Sequence, residues 1–228
     1  MPTALKTGRP GSRGEPEKTR AAILQAALEE FSHEGVAGAR TDEIARRAGV
    51  NKALLYYYYK DKEGLYSAAL EQVFSGLAAQ VMKVLESPSV PPRTRLLTYV
   101  EAHFDYIASA PVYPRLVQHE FMRTAGRTLS PAASRIFERY GKPIYTRLAR
   151  LISEGVACGD FRTVDPGQTL TSILGTIIFY FISLPTQQVM NPGDPASPER
   201  IAARRAAVLD FVSAALFAPA APDKRKSH

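Results

Sequence analysis

The 22 residues from Thr41 to Lys62 constrain this chain more than any other stretch. Thr41 is a suitable N-cap, and Asp42 and Glu43 put negative charge in a first helical turn, where the helix dipole favours it. Ile44, Ala45 and Ala48 recur at helical spacing while Arg46 and Arg47 point outward. Gly49 ends the helix where a left-handed residue is wanted, and Asn51 caps the next helix almost at once. That helix carries four consecutive tyrosines, Tyr56 to Tyr59. At about 100° per residue such a run covers every side of a helix, so at least one ring is displayed. Two short helices joined by a glycine turn, with Lys52, Lys60 and Lys62 around the second, predict a helix-turn-helix that meets DNA, because phosphates accept bonds from Lys, Tyr and backbone amides. An aromatic core patch accounts equally well for the tyrosine run taken alone. The flanking capped helix and the lysines favour DNA.

Net charge contributes little to this reading. The formal charge is +7, but residues 1–66 hold 11 Lys and Arg against 9 Asp and Glu, so only +2 lies around the proposed reading head. Local arrangement carries the argument: Glu29, Glu30 and Glu34 end the first helix, and the basic residues gather at the turn.

Outside that stretch the chain reads as helices throughout, with no sustained period-two alternation bounded by hairpin turns. The first helix, about 16–34, carries Ile23, Leu24, Ala27, Leu28 and Phe31 on one face and ends near Gly35. The fourth runs from about 61 to 86, the fifth from 93 to 109 and the sixth from 114 to 126. Ser130-Pro131, Asp165-Pro166 and Ser197-Pro198 are cap-plus-proline signatures that open helices over 131–158, 166–186 and 198–217. The expected total is nine, in an all-α fold. Residues 1–15, with Lys6, Arg9 and Arg13 among glycines and prolines, read as a flexible basic arm. A solubilising tail is the simpler account of the arm and a minor-groove contact the sharper one. Residues 219–228 read as a frayed tail.

Ile23-Leu24, Ala27-Leu28, Phe31, Gly35, Thr41, Ala45 or Ala48 with Gly49-Val50, then Lys52, Leu55-Tyr56, Tyr58-Tyr59, Lys62-Glu63 and Leu65 form an ordered pattern over residues 18–66. It resembles the DNA-binding domain of the TetR (TetR/AcrR) family of bacterial repressors. The resemblance implies a helix-turn-helix DNA-binding domain over 16–62 and a ligand-binding and dimerisation domain over 63–218. It assigns Thr41 and Lys62 as phosphate clamps, Asn51 as the cap of the recognition helix, and Lys52, Ala53, Tyr56 and Tyr57 as the groove-facing set. Val50, Leu55 and Tyr59 become packing residues; Tyr59 stands where Phe is more usual, which leaves its hydroxyl in need of a partner. Gly64 weakens the start of the fourth helix.

The resemblance further implies a homodimer on a palindromic double-stranded DNA operator, released by a small-molecule effector that shifts the fourth helix. The helices over 166–186 and 198–217 are apolar enough to need a partner. Ile173, Ile177, Tyr180, Val208, Phe211, Val212 and Ala215 are the candidate dimerisation residues, with a thick monomeric bundle as the alternative. An apolar or amphipathic effector is expected against His103, Phe104, His119, Met122, Tyr140, Tyr145, Ile177 and Phe181, with Glu120, Arg123, Ile144 and Tyr180 nearby.

Enzymatic readings are weak. His119-Glu120 begins a zinc-protease pattern, but the position four after His119 is Arg123, so the helical ligand pair is absent. His103, His119 and Glu120 could still meet as a metal site. There is no Gly-rich phosphate loop, nucleophile elbow or two-Cys metal pair, and no catalytic residue, metal or cofactor is expected. Cys158 is the one cysteine and reads as a small buried hydrophobe. The longest apolar run, Leu170 to Leu184, is 15 residues and too short to span a bilayer. With no N-terminal secretory signal, a cytoplasmic location is expected.

Overall fold

A computed structural model describes residues 15–87, 89–123 and 128–218. The expected arm, apart from Glu15, and the tail from 219 onward lie outside the described residues. The rest is helical, and the chain divides into two compact units. One comprises the residues up to Gly76 together with Pro111–Arg139; the other comprises Leu77–Ala110 and the residues from Tyr140 onward. This division differs from the expected boundary at 62/63, because residues 111–139 group with the N-terminal helices.

The first unit holds α1 (Pro16–Gly38), α2 (Thr41–Arg47), α3 (Lys52–Tyr59), the first part of α4 (Lys62–Leu85), α6 (Val112–Arg123) and α7 (Pro131–Ile136). On α1, Ile23, Ala27 and Phe31 recur at helical spacing and are fully buried. They join Ile44, Leu55, Leu65 and Leu116 in one core, where each complete burial of a Leu or Ile contributes roughly 1.5–3 kcal/mol. The Phe31 and Tyr66 rings meet edge to face at 5.2 Å. α1 packs mainly against α6 and α2. Its regular path breaks at Gly35, where φ is +63° and a β-carbon would come within 3.0 Å of the His119 ring.

The second unit holds the end of α4, α5 (Pro92–Ser109), α8 (Lys142–Ala157), α9 (Pro166–Ile182), α10 (Leu184–Met190) and α11 (Pro198–Leu216). Leu96, Val100 and Phe104 of α5 face Leu148, Leu151 and Ile152 of α8, Leu170 and Ile177 of α9, and Val208 and Val212 of α11; all are buried. Arg205 of α11 grips Asp105 of α5 at 2.8 Å and 3.1 Å and Glu101 at 3.3 Å. Phe161 and Phe217 stack at 5.7 Å and form an isolated antiparallel bridge, and Gly155 of α8 makes way for the Phe161 ring.

The three cap signatures are present: Ser130, Asp165 and Ser197 accept the amides of Ala133, Gln168 and Arg200. Two of the nine expected helices are interrupted, so eleven α-helical segments occur among the described residues. The helix expected over 131–158 divides into α7 and α8 around a π turn, Phe137–Gly141. The helix expected over 166–186 breaks at Ser183, and α10 departs from α9 at 71°. Both breaks have one cause. Pro143 and Pro185 lack an amide, and their rings would strike the carbonyls of Arg139 and Phe181 in a continuous α-helix. Cys158 is exposed, not buried, because it occupies the C-cap of α8 just before the left-handed Gly159. Among the described residues no single helix is long and apolar enough to cross a membrane.

Candidate nucleic-acid interface

The turn between α2 and α3 is closed by backbone bonds that only a left-handed residue permits. Gly49, at φ +68°, donates to the Arg46 carbonyl (3.2 Å) and Val50 to that of Ala45 (3.0 Å), the paired bonds of a Schellman motif. Asn51 then caps α3 by accepting the Leu54 amide at 2.8 Å. Thr41 does not cap α2. The helix begins after Arg40, whose amide goes to the buried Glu30 carboxylate at 3.1 Å, and the Thr41 hydroxyl lies 3.3 Å from that of Tyr56.

α3 presents Lys52, Ala53, Tyr56, Tyr57 and Lys60 on its exposed face. Tyr57 is 79% exposed and Tyr56 38%. Leu55 and Tyr59 point inward, with Leu54 and Tyr58 half-buried. Tyr59 has the partner its hydroxyl needs: it donates to the Arg20 carbonyl at 3.0 Å, and burial pushes the phenol pKa up. The far end of α3 is tightly folded. Lys60 sits at φ +62°, ψ −57°, and Asp61 donates to the Tyr59 carbonyl at 2.7 Å, a γ-turn of the strained kind. Asp61 in turn accepts the Gly64 amide at 2.6 Å. Gly64 is therefore more than a weak helix former, since a β-carbon there would overlap the Tyr59 carbonyl oxygen.

The charges around the turn are largely engaged. Glu43 binds Arg46 (2.6 Å) and Arg47 (2.9 Å), and these hydrogen bonds pull its pKa down to about 2. Arg47 also approaches Glu30 at 3.6 Å. Lys62 donates to the carbonyls of Ala37 (3.3 Å) and Ala39 (3.2 Å), fixing the end of α1 to the start of α4. Lys52 pairs with Asp42 at 2.9 Å. Sequence reading placed the cations at the turn and did not identify these partners.

Two family models match the chain: bacterial regulatory proteins of the tetR family over residues 23–69, and the tetracyclin repressor-like C-terminal domain over residues 92–212. The chain belongs to the TetR family. This TetR-family member is 30% identical to the HTH-type transcriptional repressor SCO4008 of Streptomyces coelicolor, over 75% of this chain and 82% of that protein. Its fold is shared with a transcriptional regulator from Saccharomonospora viridis in complex with choline (TM-score 0.70, 19% identity, 89% of this chain and 99% of that one). FadR from Bacillus subtilis in complex with stearoyl-CoA also shares it (TM-score 0.64, 20% identity, 85% and 97%). The protein is thus a DNA-binding transcriptional regulator.

The expected effector residues of this TetR-family regulator fall in both units. His103, Phe104, Ile177 and Phe181 are buried on α5 and α9, with the Phe104 and Phe181 rings 5.1 Å apart. Nδ1 of His103 lies 2.8 Å from the Tyr99 hydroxyl, and burial pulls the imidazole pKa down to about 4. Tyr140 is half-buried, Tyr145 exposed, and Met122 75% exposed. His119 lies in the first unit, where its Nε2 is 3.2 Å from the Ser32 carbonyl oxygen. Glu120 accepts the Tyr66 hydroxyl (3.0 Å) and the Ser130 amide (2.8 Å) rather than facing His119 as a metal ligand would. Among the described residues no group of three His, Cys, Asp or Glu converges on a metal position.

The dimerisation set divides between buried and exposed positions. Ile173, Ile177, Val208 and Val212 are buried within their own unit, Tyr180 donates to the Pro195 carbonyl, and Ala215 is half-buried; Phe211 is exposed. These helices spend their largest aliphatic residues on one chain's core. Among the residues they leave exposed are Gly175 and Phe179 on α9, and Ala203, Ala207 and Phe211 on α11.

Proposed function

We propose that the protein is a homodimeric repressor whose paired α3 helices read a palindromic operator in the major groove and which a small apolar or amphipathic effector releases. The observation that carries this reading is the exposed face of α3, where Lys52, Ala53, Tyr56 and Tyr57 stand on a helix fixed at both ends. Thr41 then acts by orienting the Tyr56 hydroxyl, and Lys62 by holding α1 against α4 with its remaining donor free for a phosphate. One short helix reads only a few base pairs, so two related by a twofold axis, about 34–36 Å apart, are needed for a useful site.

The outward faces of α9 and α11 supply the twofold contact. Phe179 is 65% exposed and Phe211 59%, Gly175 leaves open space beside it, and a cleft of about 370 Å³ lies along Phe211, Ser172 and Thr176. A partner's aromatic ring fits such a surface. The apolar surroundings and uncharged state of His103 support an effector with a hydrophobic body. Choline and stearoyl-CoA in the two structural relatives show how widely one fold's ligands range. Such a regulator works in the cytoplasm, where its operator is.

Footprinting on the protein's own upstream DNA, with excess nonspecific competitor, tests the reading. A protected inverted repeat is expected. Tyr57→Ala should weaken operator binding by about 1–3 kcal/mol without unfolding the protein, and unchanged affinity would remove Tyr57 from the interface. Phe211→Glu should convert the dimer to monomer in sedimentation.

A further inference from the structure

Around α3, several of the cations are already engaged, and Lys52 is one of them. From Glu15 to Tyr66 the chain holds eight Lys and Arg against nine Asp and Glu. Arg46 and Arg47 are committed to Glu43, and Lys62 spends two of its donors on the carbonyls of Ala37 and Ala39. Lys52, the first residue of α3, is joined across the turn to Asp42, the second residue of α2, with Nζ 2.9 Å from Oδ1 and 3.0 Å from Oδ2. Both side chains are well exposed, at 44% and 64%.

An exposed ion pair contributes roughly 0–1 kcal/mol to stability. The angle between α2 and α3 is already set by the buried Ile44 and Leu55 and by the Schellman turn, so the pair is not what holds the motif together. Its effect falls on what approaches from outside, because Asp42 occupies the place beside Lys52 that a phosphate would take.

We propose that Asp42 is a specificity-determining residue for DNA: it keeps Lys52 in a neutral pair against arbitrary phosphates and yields it only in the operator complex. The proposal rests on α3 being the DNA-reading helix. Nonspecific binding is almost wholly the electrostatic release of counterions from phosphates, so a cation withheld there costs a full contact. In the operator complex base-edge contacts hold the helix in register, and the phosphate beside Lys52 displaces the weak pair. The ratio of specific to nonspecific affinity widens.

The test uses the full-length protein, an operator duplex selected by the wild type from a random library, and a scrambled duplex of the same length. Asp42→Asn should bind the scrambled duplex about fivefold more tightly and steepen its log affinity against log salt by about 0.9 per reading head. Operator affinity should move less than about twofold, and the gain should vanish in a Lys52→Met background. Equal gains on both duplexes, no gain on either, or a gain that survives Lys52→Met would overturn the role. Loss of operator binding alone would make Asp42 a base-reading acceptor instead. A wild type that enriches no sequence fails earlier, at the DNA reading itself.

Discussion

The two units are held by different means. In the first, short helices are fixed one by one through polar contacts and glycines: Asn51 on Leu54, Tyr59 on Arg20, Lys62 on Ala37 and Ala39, Tyr66 on Glu120, and Gly35 beneath His119. In the second, longer helices bury continuous aliphatic and aromatic faces around His103, and arginines tie the helix surfaces together: Arg205 on Asp105 and Glu101, and Arg95 on Glu154. The contrast fits the roles proposed for the two units. A reading head needs side chains held to fractions of an ångström, which directional bonds supply, whereas an effector domain needs a core that can repack around a guest.

Substitutions can break or sharpen this contrast. The largest effect is expected at Gly155, where any side chain would overlap the Phe161 ring; Gly155→Val should cost about 3 kcal/mol of stability by overpacking, read by thermal unfolding. Similar in size is a pH effect at His103. Its pKa is about 4 folded against 6.5 as a free side chain, so the unfolded chain takes up the proton first as pH falls. Stability is intact above about pH 6.5 and declines by about 3 kcal/mol as pH falls through 4. His103→Leu should flatten that decline, and an unaltered pH profile in this variant would place the titration elsewhere.

In the first unit the expected effects are smaller and attach to single bonds. Tyr59→Phe should cost about 1 kcal/mol through the lost bond to Arg20. Lys60→Gly should do the reverse and stabilise by about 1 kcal/mol, since glycine tolerates the positive φ that strains lysine. A stability loss on denaturant unfolding would show that the Lys60 side chain matters more to the turn than its backbone.

The reading head was legible because its signals are local. Caps, the Gly49 turn and the i, i+4 face of α3 are each written within a few residues, so the Asn51 cap and the outward placement of Lys52 and Tyr57 could be read without knowing what packs behind them. The helix breaks were legible in principle as well. Pro143 and Pro185 stand in plain view, and a proline ring against the carbonyl four residues back costs about 3 kcal/mol or more, enough to kink or break a helix that apolar periodicity would otherwise continue. The partners that neutralise Arg46, Arg47 and Lys52 were not legible to the same degree: Glu43 is three and four residues away, but Asp42 reaches Lys52 only because the turn folds α2 back on α3.

Sequence by itself determined the all-α class, the helix-turn-helix and the family, because helical period, capping and turn chemistry act over a handful of residues and survive any packing. Which residues of α9 and α11 face outward was decided by the tertiary structure alone. Both helices are apolar on more than one side, so periodicity could not rank Ile173, Ile177, Val208 and Val212 against Gly175, Phe179 and Phe211. Packing against α5 and α8 put Ile173, Ile177, Val208 and Val212 in the interior and left Gly175, Phe179 and Phe211 outside.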